Sequence, residues 1–473
     1  SLGPQAVPPP GLTMRLAAVL GLVCAALGCA RYTPAPLDPA GTADAYAARR
    51  LDAPDLRDWL AAHGATDSAW TSATLGLVAL YYGPAVATAR AAWRTARAGE
   101  RAAGARPQPA ADGEIGHTVS NAGTESPWIG RVLSIFTVEL GGKRGARIAA
   151  ARARTAVAET DLEETAWRAT RAIRAAAVEL AAAGERRTDA SLGADRVEAF
   201  TVRLRRLYDE GTLGRSELAA VESEQADARA AADRERAGED AARVALARAA
   251  GLPPAALDGV RMGPEPAPVC VTAGTDSLRA LALRRRPDLG RALAEYAVAE
   301  GELRVAVAAS YPDLAFGPGL DWDRGEGRWV LGLGLPRIPL NGNRGSIAEA
   351  TARRAEAAAR FAERQQGVLA EVSAAAAGCR AAQADAAGAD SVREATARQA
   401  ELARAAYERG EIGATALAPL ELAETRALRD LHAARQRLAA AGLVLETATG
   451  EWPPGPVRWP DPREPVTPEE GSR

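Results

Sequence analysis

Three histidines, His63, His117 and His432, are the only imidazoles in 473 residues, and they lie far apart. The four cysteines, Cys24, Cys29, Cys270 and Cys379, show no metal-ligand spacing, so the chain predicts no local metal site. No Ser/His/Asp or Cys/His set can be assembled from residues this scattered. Gly141-Gly142-Lys143-Arg144-Gly145 invites a phosphate-loop reading but lacks the Gly-x-x-x-x-Gly-Lys-Ser/Thr spacing. The expectation is a protein that is not an enzyme and needs no cofactor. Cys270 and Cys379 could pair in an oxidising compartment, but they read more simply as two separate small apolar positions.

Cys29 belongs to a different pattern. Met14-Arg15, an apolar run over 16–27 and Gly28-Cys29 form an export signal, with residues 1–13 as an over-extended start. A run of about 12 residues is too short to span a bilayer. Cys29 resembles the lipidated cysteine of bacterial lipoproteins, which makes it the expected site of lipidation, with an ordinary signal peptide and an incidental cysteine the alternative.

Charge balance, with 58 basic and 60 acidic residues, gives no support for a nucleic-acid surface. About a quarter of the chain is alanine and only 4% is aromatic. Such a chain builds a thick core poorly and long helices well.

A tandem repeat organises those helices. Gly141–Gly145 matches Asn341–Gly345 at an offset of 200, and Tyr208–Gly214 matches Tyr407–Gly413 at 199. The expected divisions are an N-terminal segment (29–72), repeat 1 (73–250), a linker (251–276), repeat 2 (277–450) and a proline-rich tail (451–473). Each repeat should hold a shorter helix (73–104; 277–310), a β-hairpin (about 106–140; 312–340) and a very long helix (145–209; 346–409). A Gly-x-x-Gly break and a further helix (215–250; 414–448) complete it. Residues 142, 145, 342 and 345, all glycine, are the expected strand-to-helix turns.

In the hairpins Ile129–Leu140 aligns with Trp329–Leu340 at the same offset. Ile129, Leu133 and Ile135 then share a large apolar face with Trp329, Leu333 and Leu335, and Val132 and Ser134 fall opposite Gly332 and Gly334. Arg131 opposite Leu331 breaks the pattern once. Nine to eleven alternating residues suit a transmembrane β-strand. Partner strands are expected over about 106–121 and 313–323, and Trp128, Trp322 and Trp329 sit as interfacial girdle aromatics would. Four strands cannot close in a membrane, so a barrel requires several copies. A soluble hairpin packed on helices is the alternative.

At this point the chain resembles the TolC-like outer-membrane efflux proteins over roughly residues 50–450. The features carrying this are Leu27-Gly28-Cys29, Arg49-Arg50-Leu51-Asp52 with Leu56–Leu60, Tyr311-Pro312-Asp313-Leu314, the two Gly-x-Arg-Gly turns and the two Tyr-x-x-Gly-x-x-Gly breaks. Glu139–Gly145 is similar to the cobalt–zinc–cadmium efflux branch. The resemblance implies a mainly α fold with a small β part: long coiled helices as a periplasmic tunnel, and four strands per chain in a trimeric twelve-stranded outer-membrane barrel. Its implied partners are two further copies, outer-membrane lipid, a periplasmic adaptor and a proton-driven inner-membrane pump. The tips meeting the adaptor would be Gly211, Thr212, Leu213 and Gly214, with Gly410, Glu411, Ile412 and Gly413. An acidic entrance gate would fall on Glu217, Glu222, Glu421 and Glu424; a solvated helix face is the plainer reading of all four. The implied function is a passive exit duct for metal ions or small toxic compounds. Met262 is the one methionine beyond the signal, so no soft-metal site is evident in the chain. A non-pore periplasmic coiled-coil lipoprotein and a type I secretion duct are the alternatives.

Overall fold

The computed structural model describes residues 32–65, 69–119, 127–263, 265–270, 274–323, 325–452, 458 and 460–464. The expected export signal, Cys29 and most of the proline-rich tail lie outside them. Contacts divide the chain into residues 1–48 and 49–473. The first unit contributes α1 (Pro39–Ala47), opened by Asp38, whose carboxylate accepts from the Gly41 amide at 3.0 Å.

The second unit begins with α2 (Pro54–Ala62), α3 (Ser72–Tyr82) and α4 (Pro84–Ala103). Strands β1 (Ala110–His117) and β2 (Trp128–Val138) follow, then α5 (Lys143–Asp209) and α6 (Arg215–Ala250). The second half runs α7 (Thr275–Arg285), α8 (Pro287–Ala308), β3 (Leu314–Asp323), β4 (Glu326–Gly334), α9 (Arg344–Glu408) and α10 (Ala414–Thr449). The single short helix expected over 73–104 is two helices, bent by 50° between α3 and α4. The one expected over 277–310 is also two. Proline starts the second helix each time, at Pro84 and Pro287, because its ring cannot continue the preceding turn. No single helix among the described residues is long and apolar enough to cross a membrane.

Helix α5 runs 67 residues and α9 runs 65, each roughly 100 Å at 1.5 Å per residue. Both end in the same hydrogen-bonded device. The Gly211 amide donates to the Tyr208 carbonyl and the Thr212 amide to the Leu207 carbonyl, each at 2.9 Å. Gly410 and Glu411 repeat this on Tyr407 and Ala406. Gly211 and Gly410 both hold φ at +74°, which glycine adopts without steric cost. The chain then reverses into α6 and α10, giving two antiparallel helical hairpins.

Large apolar residues concentrate partway along these helices. In the first half Leu56, Leu75, Leu77, Ile173, Leu246 and Leu252 bury together. In the second Leu278, Val368, Val372 and Leu445 do so. Elsewhere the contact is alanine on alanine, as where Ala190, Ala194 and Ala232 meet. Small side chains permit close approach: a Cβ on Gly301 of α8 would lie 3.0 Å from the Ala150 Cα of α5.

Cys270 and Cys379 are joined by a disulfide inside the second cluster, which corrects the expectation of two separate apolar positions. Sequence separation hid the pairing; folding brings the inter-repeat linker onto α9. The bridge closes a loop of 109 residues. Replacing both cysteines by alanine should lower unfolding stability by about 2–4 kcal/mol. Denaturation of the oxidised and reduced protein measures this; equal stability would contradict it.

Beside this cluster Arg286 clamps Asp288 through two bonds, at 2.9 and 2.6 Å, and Arg364 pairs with the same carboxylate. Burial pushes the Asp288 carboxyl up, but the hydrogen bond and charge of Arg286, aided by Arg364, outweigh it and hold it below the ordinary range. A depressed folded value means stability that is present at neutral pH and lost as pH falls through that value. Asp288→Asn should therefore destabilise the protein at neutral pH, with the difference from wild type shrinking at pH below about 4. Urea midpoints across pH test this; a pH-independent difference would contradict it.

Candidate functional site

The four strands form one antiparallel sheet in the order β1-β2-β3-β4. Opposed residues point to the same face, so the register sorts every strand side chain. Asp112 and Glu114 lie opposite Leu133 and Arg131; Arg131 lies opposite Asp321; Asp321 and Asp323 lie opposite Arg328 and Glu326. All seven charged residues of the strands therefore share one face, where Arg131 pairs with Asp321 at 3.3 Å. The other face carries no charge. It presents Val132 and Phe136 from β2, Phe316 and Leu320 from β3, and Trp329, Leu331 and Leu333 from β4. Leu331 and Leu333 are 66% and 72% exposed, and Trp329 is 85% exposed. An exposed apolar sheet face of this kind suits contact with an apolar partner.

This corrects the expected alignment. Ile129, Leu133 and Ile135 lie on the charged face, opposite in sense to Trp329 and Leu333, while Leu335 lies beyond the end of β4. Helix α5 starts at Lys143 and α9 at Arg344, so through strand and turn the repeat offset is 201, not 200. A one-residue slip moves every strand side chain to the other face. The alternation misled because, apart from Arg131, β2 carries large apolar residues on both faces. Leu133 fills a hollow left by glycine: a Cβ on Gly319 would lie 2.8 Å from its Cδ1. The single break noticed in the pattern, Arg131, was the informative residue. Partner strand β1 starts at Ala110 rather than near Arg106 and ends at His117; part of the segment beyond, 120–126, is outside the described residues.

Aromatics mark both ends of the uncharged face. His117 opposes Trp128, Gly130 opposes Trp322, and Leu320 opposes Trp329, which puts all three tryptophans at the hairpin-tip end. The Trp322 ring covers Gly130. At the helix end Phe136 stacks on Phe316 with centroids 5.4 Å apart, a pair the sequence reading passed over. Strand β2 has 11 residues. At about 3.3 Å each and tilted by roughly 45°, it covers about 25 Å of bilayer.

The strand-to-helix turns shift with the offset. Gly141 and Gly142 hold φ of +68° and +71°; Gly342 and Asn343 hold +59° and +55°. Asn343 thus does what Gly142 does, as asparagine tolerates this region best among residues with a side chain. Gly145 and Gly345 lie inside the first turns of α5 and α9 and are not turn residues.

At the far ends of the hairpins, Gly211–Gly214 and Gly410–Gly413 connect α5 to α6 and α9 to α10. The four nearby glutamates all have partners. Glu217 accepts from the Gly214 amide at 3.0 Å and Glu222 pairs with Arg205. Glu421 and Glu424 both bind Arg404, Glu421 at 3.3 Å. Sequence reasoning missed Arg404, which lies seventeen residues before Glu421 and meets it only through the hairpin. A cavity of about 320 Å³ opens here, lined by Arg196, Arg203, Arg404 and Glu421. Of the histidines, His432 pairs with Asp189 at 2.5 Å and His63 with the Trp59 carbonyl at 2.7 Å. Among the described residues no three His, Cys, Asp or Glu side chains gather as a metal site.

The sheet with its paired long helices is a fold shared with solved outer-membrane channel structures. Residues 278–451 match the family model described as outer membrane efflux protein. The outer-membrane channel OprN is 20% identical, with 90% of this chain and 100% of that chain covered and a TM-score of 0.68. The outer membrane protein VceC of Vibrio cholerae is 19% identical, with 80% and 96% covered and a TM-score of 0.65. CusC, whose structures describe transmembrane channel formation, is 17% identical, with 80% and 92% covered and a TM-score of 0.63. No curated protein sequence matches. The resemblance to the TolC-like outer-membrane efflux proteins is thus met twice, in sequence over the second repeat and in fold over most of the chain.

Proposed function

We propose that this chain is the outer-membrane channel of a tripartite efflux system. Three copies close a twelve-stranded barrel, with each β1 edge pairing to the β4 edge of a neighbour, and their helical hairpins form a periplasmic tunnel. The segregation of all strand charge onto one face carries this reading: one face suits lipid, the other a water-filled lumen. Sheet edges left open in a bilayer would strand backbone hydrogen-bonding groups, which is why copies must pair. The chain then works as a passive duct. A proton-driven inner-membrane pump supplies energy, a periplasmic adaptor docks on Gly211–Gly214 and Gly410–Gly413, and the cargo is metal ions or small toxic compounds. Lipidation at Cys29 would anchor the N-terminus, and Trp128, Trp322 and Trp329 would sit at the outer interface. The chain should fractionate with the outer membrane as a heat-modifiable trimer. A soluble monomer would overturn the proposal.

At the entrance, Glu421 and Glu424 face an arginine rather than open water. The Glu424 hydrogen bond raises the Arg404 guanidinium above its ordinary value, with burial opposing and Glu421 adding to it. Within this reading, Arg404→Ala releases both carboxylates toward the entrance. Cation over anion permeability should rise about two- to fivefold, the effect of roughly 0.5–1 kcal/mol, and shrink at high salt. Reversal potentials in a salt gradient measure it; unchanged selectivity would remove Glu421 and Glu424 from the gate.

A further inference from the structure

Four segments join the sheet to its helices; taken with the first turns of α5 and α9 they span 104–109, 139–147, 309–313 and 335–346, and all lie at one end of the sheet. They hold six cations, Arg106, Lys143, Arg144, Arg147, Arg337 and Arg344, against two carboxylates, Glu139 and Asp313. The whole chain has a net charge of −2, so the excess here is local. Lys143 uses Asp313 at 2.7 Å, Arg147 uses Glu139, and Arg144 donates to the Gly104 carbonyl at 2.7 Å. Arg106, Arg337 and Arg344 are exposed, and their guanidinium groups make no hydrogen bond or ion pair among the described residues.

Helix stability does not account for these charges. Lys143 and Arg144 stand in the first turn of α5, and Arg344 opens α9, with no acidic residue in either first turn. Cations at a helix N-terminus oppose the helix dipole. At the hairpin-tip end the strand charges Asp321, Asp323, Glu326 and Arg328 lie on the charged face instead. The basic excess therefore lies at the helix end of the sheet; the tip segments 118–127 and 324–325 hold one cation, Arg324, and one carboxylate, Glu125, in sequence.

We propose that this edge is a binding belt for the anionic headgroups of phospholipids in the leaflet nearest the helices. The occupant follows from charge and from continuity: an apolar face takes the acyl chains, and the cations next to it take the phosphates of the same molecules. The inference rests on the membrane reading above. The test uses the full chain in vesicles of phosphatidylethanolamine and phosphatidylglycerol, with a trace of spin-labelled phosphatidylglycerol or phosphatidylcholine. At low salt the labelled phosphatidylglycerol should be held at the protein boundary at least about threefold more strongly than phosphatidylcholine. In R106Q/R337Q/R344Q, and in wild type at about 0.5 M salt, the preference should fall toward equality. These three exposed side chains make no hydrogen bond or ion pair among the described residues, so the variant should fold. Equal association of both lipids with the wild type, or a preference unchanged in the variant, would overturn the proposal. Conductance of the same vesicles separates the two readings. A conducting protein without lipid preference overturns only the belt, whereas one that neither inserts nor conducts overturns the channel reading and the belt with it.

Discussion

Leu331→Arg should abolish membrane insertion, while Val330→Arg, one residue away, should leave it intact. Leu331 lies on the uncharged face opposite Pro318, and Val330 on the charged face opposite Gly319. A charge on the lipid side near mid-bilayer costs about 2–4 kcal/mol, and a trimer would bear it three times. A charge on the lumen side meets water and costs little. Leu331 is 66% exposed in the single chain, so the substitution removes no internal packing. Trimer yield in the outer-membrane fraction reads the result. Equal yields from both variants would mean that the two faces are not lipid and lumen.

Arg174→Ala should cost the helical part of the protein a large share of its stability. Arg174 is 0% exposed and bonds Glu265 of the inter-repeat linker, the Pro266 carbonyl at 2.8 Å and Glu446 of α10 at 3.3 Å. Arg171, one turn away, also reaches Glu446, at 3.2 Å, and the Ser72 amide of α3 donates to Glu265 at 3.0 Å. The group ties α3 and α5 of one half to α10 of the other. Removing Arg174 leaves Glu265 without an ion-pair partner among the described residues and Glu446 with Arg171 alone, both carboxylates being largely buried, at a cost of about 3–5 kcal/mol. Adding Glu265→Gln should recover part of that loss, because the stranded charge disappears. Denaturant unfolding of the single and double variants reads this; a loss under about 1 kcal/mol, or no recovery, would show that the cluster is solvated.

The legible parts of the fold were those written in local pattern. Long alanine-rich runs, the tyrosine-glycine breaks and the presence of hairpins all follow from propensity and punctuation. What stayed hidden depends on contacts between distant segments. Asn343 replacing Gly142 concealed a one-residue change of offset, which reversed the faces assigned to β2. The Cys270–Cys379 bridge, the Arg404 clamp and the Arg171–Arg174 cluster join residues that only the hairpins bring together. Arg131 was the one local signal of the true register, since a lone arginine on a lipid face is costly and here has Asp321 across the strand.

Single-channel recording on the purified chain in a planar lipid bilayer tests the central claim most directly. Stepwise conductance from a trimeric species is expected, absent in Leu331→Arg and retained with altered ion preference in Val330→Arg. A folded wild-type protein that produces no conductance steps and remains a soluble monomer would contradict it.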